Sequence, residues 1–299
     1  MPLPSQKDTK RGILLMLLAI FCFAAMDAAA KGLIARYPVP QVVWARFTGQ
    51  VVIVALLLGP RLPAMMRTQW PMLHLVRSAC QLGAIACFFS SLPYIGLAEA
   101  TALGDLNPVL ITLGAALFLG EKLGPRRIAG VVAALIGALI IIRPGLSVFT
   151  PAALLPLAAA VFYTINALLT RLLGPQESAW TPMILAALFG FAATSATLPF
   201  VWVPIAPADW PMFALIGALG TGAQLALIRA FTLAEAGSVA PFAYVGLLFA
   251  TCWGYVLYDE VPDLPTIIGA LVIVAAGLYV WHRETQAKAG PPLPGPTGG

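Results

Sequence analysis

The stretch Tyr94–Gly145 constrains the fold more than any other. It reads YIGLAEATALGDLNPVLITLGAALFLGEKLGPRRIAGVVAALIGALIIIRPG, two long apolar runs around a short charged elbow, Glu121-Lys122-Leu123-Gly124-Pro125-Arg126-Arg127. Each run is close to the ~20 residues that a helix needs to cross a bilayer. The first run carries Asp105 and the pair Asn107-Pro108. Pro removes a helix hydrogen bond, and Asn brings an amide into the apolar layer. A weaker copy of the stretch lies near the C-terminus. Leu97–Ala100 (LAEA) recurs at Leu233–Ala236, the elbow recurs loosely over Asp259–Pro265, and Ile128-Ala129-Gly130 recurs as Ile267-Ile268-Gly269.

Composition extends this pattern to the whole chain. Of 299 residues, 60% are hydrophobic and 10% are charged, against about 25% charged in soluble domains. The expected class is therefore an all-α polytopic membrane protein. The apolar runs are nearly continuous and rarely alternate, which argues against a membrane β-barrel. The net charge of +5 is no nucleic-acid patch, because the basic residues sit at helix ends, where they set topology. Cys22, Cys80, Cys87 and Cys252 all lie inside apolar runs without metal-ligand spacing and read as small buried hydrophobes.

Turn chemistry divides the chain into ten expected transmembrane helices, at about 12–35, 40–59, 71–92, 95–119, 126–143, 151–172, 180–201, 210–232, 237–257 and 264–283. Breaks fall at Tyr37-Pro38-Val39-Pro40, Gly59-Pro60, Leu92-Pro93, Arg143-Pro144-Gly145, Gly174-Pro175 and Val203-Pro204. The first helix, which follows Lys10-Arg11 and lacks a clear cleavage site, is expected to be retained. With the N-terminus in the cytoplasm, 13 Lys and Arg residues fall on the inner side. Only Lys31, Arg36 and Arg143 fall outside, and Arg46 lies within the second helix. Both termini are therefore expected inside.

The halves match at a shift of about 139 residues, which takes Asp27 to Asn166, Glu121 to Glu260 and Gly130 to Gly269. Five helices is an odd number, so the second half must enter from the opposite side. Two inverted five-helix repeats result, a transporter architecture with its site near the midplane. The expected layout is a cytoplasmic N-terminus over 1–11, repeats over 12–148 and 149–284, and a Pro/Gly-rich, disordered cytoplasmic tail over 285–299.

A Pro-bearing helix, a Gly-Glu-Lys elbow and a Gly-spaced helix, present twice, resemble the signature of the EamA-type transporters of the drug/metabolite transporter superfamily. The likeness covers roughly 12–145 and 151–284. It implies a small-solute carrier of the bacterial inner membrane that works by alternating access, with helices 1, 3, 4, 6, 8 and 9 lining a central cavity. On that basis Phe88, Tyr163, Gln224 and Tyr244 become candidate substrate contacts. Asn107 and Asn166, amides placed in the apolar layer, join them. Helices 5 and 10, Gly-spaced and almost without polar atoms, read as scaffold.

The deep charges form a second group. Asp27 lies fifteen residues into the first helix, about 22 Å along its axis. Lys31 follows at i+4 on the same face. The two form either a structural ion pair or a gate, with Asp27 as a proton-coupling carboxylate. Arg46 is either a snorkelling residue or a partner for a neighbouring helix. Asp105 is the most isolated charge and is read as functional, with pairing to Arg46 or Lys31 as the alternative. Glu99 reads as a helix N-terminal charge. Asp27, Lys31, Arg46 and Asp105 are thus expected to form a gate or coupling set, and Pro108 and Pro241 to break their helices.

No constellation of nucleophile, base, metal ligand or phosphate loop occurs, so neither enzymatic chemistry nor a cofactor is expected. The expected function is export of small metabolites, first of all neutral and aromatic amino acids. Efflux of nucleosides, cationic drugs or S-adenosylmethionine is the competing transport activity, and a non-transporting scaffold or receptor is the competing class. The expected partners are the solute and the lipid bilayer, without nucleic acid. The oligomeric state is open, and a monomer is compatible with it.

Overall fold

Proline and glycine punctuate the chain in space as they do in sequence. The computed structural model describes residues 6–119, 124–144, 150–173, 178, 180–234 and 239–288. Its helices are α1 (Gln6–Ile34), α2 (Val39–Leu58), the single turn α3 (Leu62–Met65), α4 (Pro71–Ser91), α5 (Leu97–Gly104), α6 (Asn107–Leu119), α7 (Pro125–Ile142), α8 (Leu154–Leu173), α9 (Trp180–Val201), α10 (Trp210–Leu233), α11 (Val245–Tyr258) and α12 (Leu264–Lys288). Pro71 and Pro125 begin α4 and α7, where the missing N–H is not needed. Gly59 closes α2 at φ 48°. Arg143 and Asp259 close α7 and α11 in the left-handed region. No β-strand occurs among the described residues.

Among the described residues, nine segments are long and apolar enough to cross a membrane, and Ile128–Ile142 of α7 is a shorter apolar helix. Leu56, Phe118 and Phe200 are 79%, 78% and 85% exposed, a surface suited to lipid rather than water.

The packing is symmetric under exchange of halves. The pair α1·α10 has its mate in α4·α8, α2·α10 in α4·α9, and α1·α11 in α6·α8, while α2·α9, α5·α11 and α7·α12 are their own mates. The self-mated pairs α2·α9 and α7·α12 run antiparallel. Gln41 near the start of α2 holds Val203 just past the end of α9 through bonds of 2.8 and 3.1 Å. Gly130, near the start of α7, faces Val280 of α12, and Gly137 faces Gly269. A helix antiparallel to its own repeat mate relates the halves by an in-plane two-fold axis.

Glycine permits the closest of these crossings. A Cβ at Gly137 would lie 2.8 Å from the Gly269 carbonyl oxygen and 3.2 Å from the Ile273 nitrogen. Gly137→Leu is therefore expected to destabilise the protein by roughly 1–3 kcal/mol or more through overpacking. Gly222 on α10 has nothing within 4 Å of the added carbon, so Gly222→Ala should stabilise by about 0.5–1 kcal/mol. Thermal unfolding of the two purified variants checks both signs.

Several expectations need correction. The fourth crossing, expected over 95–119 with a break at Pro108, is interrupted just before that proline. It stops at Gly104, turns through Asp105-Leu106 and restarts at Asn107. Pro108 therefore lies in the first turn of α6, immediately past the break. Pro241 sits in the 3₁₀ turn Ala240–Tyr244 that leads into α11 and starts that helix rather than breaking it. α1 begins at Gln6 and α12 continues to Lys288, past the expected limits of 11 and 284. Elbow residues Glu121–Leu123, the Glu235 region and residues 289–299 lie outside the described residues.

Candidate functional site: a charged and aromatic central cavity

Two half-helices and five long helices surround a cavity of about 570 Å³. Phe23, Met26 and Asp27 come from α1, and Arg46 from α2. From α4 come Arg77, Gln81, Phe88 and Phe89. Thr101 and Gly104 of α5, Asp105 in the break and Asn107 of α6 form another wall. Tyr163, Asn166 and Thr170 enter from α8, and Gln224 and Leu227 from α10. Along α4 the lining from Arg77 to Phe89 spans about 18 Å at the helical rise.

The residues expected to touch substrate mostly converge here. Phe88, Asn107, Tyr163, Asn166 and Gln224 all line the cavity. Tyr244 does not. It is 9% exposed, its hydroxyl lies against Gly277 of α12, and it feels the charge of Asp105. Asp105, shifted by the repeat spacing of about 139, falls on Tyr244, so the pair meets close to the symmetry axis.

The expected gate set divides. Asp27 and Arg46 interact electrostatically at the cavity wall. Arg46 finds room because Gly220 of α10 offers no side chain, and a Cβ there would lie 3.6 Å from the Arg46 Nε. Asp105 shares the cavity, but its Oδ2 is buried without a hydrogen-bond partner among the described residues, as is Asn107 Oδ1. Lys31 is elsewhere. It forms an ion pair with Glu260 and donates to the Ile95 carbonyl at 2.8 Å. The i+4 spacing from Asp27 therefore does not decide its partner, because a carboxylate from the other repeat lies closer.

Glu260 also accepts the Leu97 N–H at 2.9 Å, capping the first turn of α5. Tyr258 adds a hydroxyl bond to the Ala28 carbonyl at 2.5 Å. Together these contacts tie α1, α5 and the α11–α12 connection at one face of the bundle. A second hollow of about 490 Å³, lined by Lys31, Glu99, Arg143, Glu260 and Asp263, lies at this face. Glu99 thus belongs to this hollow and not to the cavity. Arg143 binds Asp263 at 2.6 Å. Hydrogen bonds from Thr266 first, and from Arg143, hold the Asp263 carboxyl below its ordinary range.

Arg77 escaped the reading of site residues, because a basic residue near a helix end reads first as a topology signal. It is 6% exposed and lines the cavity. Its guanidinium donates to Asn166 Oδ1 at 3.1 Å and to the Pro182 carbonyl of α9. Asn166 in turn donates to Gln81 Oε1 at 2.9 Å. No cluster of His, Cys, Asp and Glu suited to a metal occurs among the described residues.

The family model of EamA-like transporters matches residues 10–143 and again 150–281. This chain belongs to the EamA-like transporter family. The pseudopaline exporter CntI of Pseudomonas aeruginosa is 32% identical over 273 residues, covering 89% of this chain and 94% of the relative. A riboflavin transporter of Rhizobium johnstonii is 30% identical over 287 residues, 94% of each chain. An S-adenosylmethionine uptake transporter of Rickettsia bellii is 21% identical over 278 residues, 93% of this chain and 96% of the relative. A solved crystal structure with 19% sequence identity shares the fold, with a TM-score of 0.60 over 93% of this chain and 98% of its own. The EamA-like protein described here is accordingly a multi-pass inner-membrane transporter of small metabolites and not an enzyme.

Proposed function

We propose that this transporter exports zwitterionic metabolites with an amino-acid headgroup, those with aromatic or large apolar side chains among them. Ten crossings in two inverted repeats, with both termini in the cytoplasm, provide alternating access. The distribution of Lys and Arg, 13 inside against 3 outside, supports the orientation, and the antiparallel repeat mates support the inversion.

The observation that carries the substrate class is the cavity lining. Asp27 and Asp105 are balanced there by Arg46 and Arg77, while Phe23, Phe88, Phe89 and Tyr163 supply ring faces. Such a wall offers sites to an ammonium, a carboxylate and an apolar side chain together. A purely cationic drug would leave the two guanidiniums facing like charge.

A flat heteroaromatic solute is the second reading, favoured by the same rings and by the relative named as a riboflavin transporter. Counterflow in proteoliposomes loaded with tritiated phenylalanine tests the first. Unlabelled neutral amino acids should compete and riboflavin should not. Competition by riboflavin alone would move the substrate to the flat heteroaromatics.

A further inference from the structure

We propose that Asp105 and Asn107, at the break between α5 and α6, form the subsite that binds the substrate's ammonium group. The inference deepens the amino-acid reading and rests on it, although a cation subsite can stand without the carboxylate half.

Three observations meet at the break. Asp105 Oδ2 and Asn107 Oδ1 are buried without a hydrogen-bond partner among the described residues, and an ionised carboxylate oxygen and an amide oxygen are acceptors only. The two basic residues whose spacing allowed a pair with Asp105 are engaged elsewhere. Lys31 meets Glu260, and Arg46 interacts with Asp27. Thr101, the neighbouring hydroxyl of this wall, donates to the Leu97 carbonyl at 2.8 Å. The break thus holds one negative charge and a second acceptor, with no donor committed to them among the described residues.

The position makes the solute the missing donor. Asp105 and Asn107 both belong to the cavity wall, and the terminal torsion of Asp and Asn is soft, so their oxygens can turn toward the lumen. α5 points its C-terminal end into the break and α6 its N-terminal end. The two helix dipoles offset each other there, and the carboxylate decides the sign of the site. A primary ammonium brings one positive charge and three N–H donors, enough for both side chains, and hydrogen bonds between ionised groups are the stronger ones.

Calorimetry on the purified full-length protein compares ligands that differ at one group. L-phenylalanine is set against 3-phenylpropionate, which lacks the ammonium, and N,N,N-trimethyl-L-phenylalanine, which keeps the charge without N–H donors. 2-Phenylethylamine lacks the carboxylate. The wild type should bind phenylalanine roughly 10- to 100-fold more tightly than 3-phenylpropionate, the range of a charge-assisted hydrogen bond, and more tightly than the trimethyl analogue. Asp105→Asn should erase the first ratio by weakening phenylalanine while 3-phenylpropionate binds at least as well as before. A merely structural Asp105 would weaken all ligands together. Asn107→Leu is the second variant if Asp105→Asn fails to fold. It removes an acceptor and leaves the charge, so the preference for phenylalanine over its trimethyl analogue should shrink.

Binding of 2-phenylethylamine without phenylalanine, lost in Asp105→Asn, would support the cation subsite and reject the amino-acid reading. Equal binding of phenylalanine and 3-phenylpropionate by the wild type overturns the subsite and leaves the amino-acid reading standing. So does an unchanged ratio in Asp105→Asn, or an unchanged preference in Asn107→Leu. Failure of every amine to bind overturns both.

Discussion

Asp105→Asn is expected to raise thermal stability and to abolish net flux. The carboxylate stands in the two-residue break between α5 and α6, and its backbone N–H is satisfied by the Thr101 carbonyl at 2.9 Å. Its Oδ2 is buried without a partner among the described residues, as are Asn107 Oδ1 and the Tyr244 hydroxyl. An unsatisfied buried acceptor costs about 1–3 kcal/mol, and more when it is charged. A group with that cost persists where some state of the working cycle satisfies it. The amide removes the charge at constant shape and adds two donors near Asn107, so the resting protein should gain about 1 kcal/mol or more. The substrate's ammonium loses its counter-charge, and affinity should fall roughly 10- to 100-fold. Unfolding temperature and proteoliposome flux, measured on one preparation, read the two effects. Raised stability with wild-type flux would show that Asp105 meets no substrate. Loss of both would mark it as a packing residue.

The sequence made the helices legible through their apolar length and the proline and glycine between them. The repeat was legible through LAEA and the paired Gly130 and Gly269. An interruption of the fourth crossing was legible at Pro108, but its position at Asp105-Leu106 was not. Gly104 ends a helix well, and Pro108 disfavours helical geometry in the residue before it. An uninterrupted apolar background hid where the backbone turns, because hydropathy measures transfer into lipid and not backbone continuity. Pro241 shows the reverse error. A proline in an apolar run suggests a kink, but in the first turn of a helix it costs nothing.

At the site, Asn107 and Asn166 were recognisable as amides placed deep in otherwise apolar helices, whereas Phe88, Tyr163 and Gln224 were singled out by the helices that the family resemblance puts around the cavity. Their convergence on one cavity depends on helix rotation, which the sequence pattern specifies weakly in a bundle whose outer faces are also apolar. Lys31 illustrates the limit of spacing rules. Residues at i and i+4 share a face, but Glu260, 229 positions away by residue number, supplies the charge that Lys31 meets. Arg77 was hidden by its position near a helix end, where the topology rule explains a basic residue without reference to a site.

Breaking the Lys31–Glu260 contact is expected to loosen the face where it ties α1 to the α11–α12 connection. Glu260 Oε1 meets Lys31, and Oε2 receives the Leu97 N–H at 2.9 Å. One side chain from the second repeat thus holds two helices of the first. Gly96 and Gly254 leave it space, since a Cβ at Gly254 would lie 3.2 Å from Oε2. Glu260→Gln keeps an acceptor for Leu97 and removes only the ion pair. Breaking a fully buried pair costs ~3–5 kcal/mol. These side chains are 13% and 27% exposed, and solvent screening lowers the expected cost to roughly 1–3 kcal/mol. Carrier states commonly differ by a few kcal/mol, and each 1.4 kcal/mol is about tenfold in population. A cysteine replacing Ala98, in a background without Cys22, Cys80, Cys87 and Cys252, should therefore react roughly 10- to 100-fold faster with an impermeant maleimide. Lys31→Glu combined with Glu260→Lys restores opposite charges but loses the acceptor for Leu97, so labelling should return only part of the way to the wild-type rate. An unchanged rate in Glu260→Gln would assign the hold on this face to the helix contacts around Leu97 and Gly254 instead of to the ion pair.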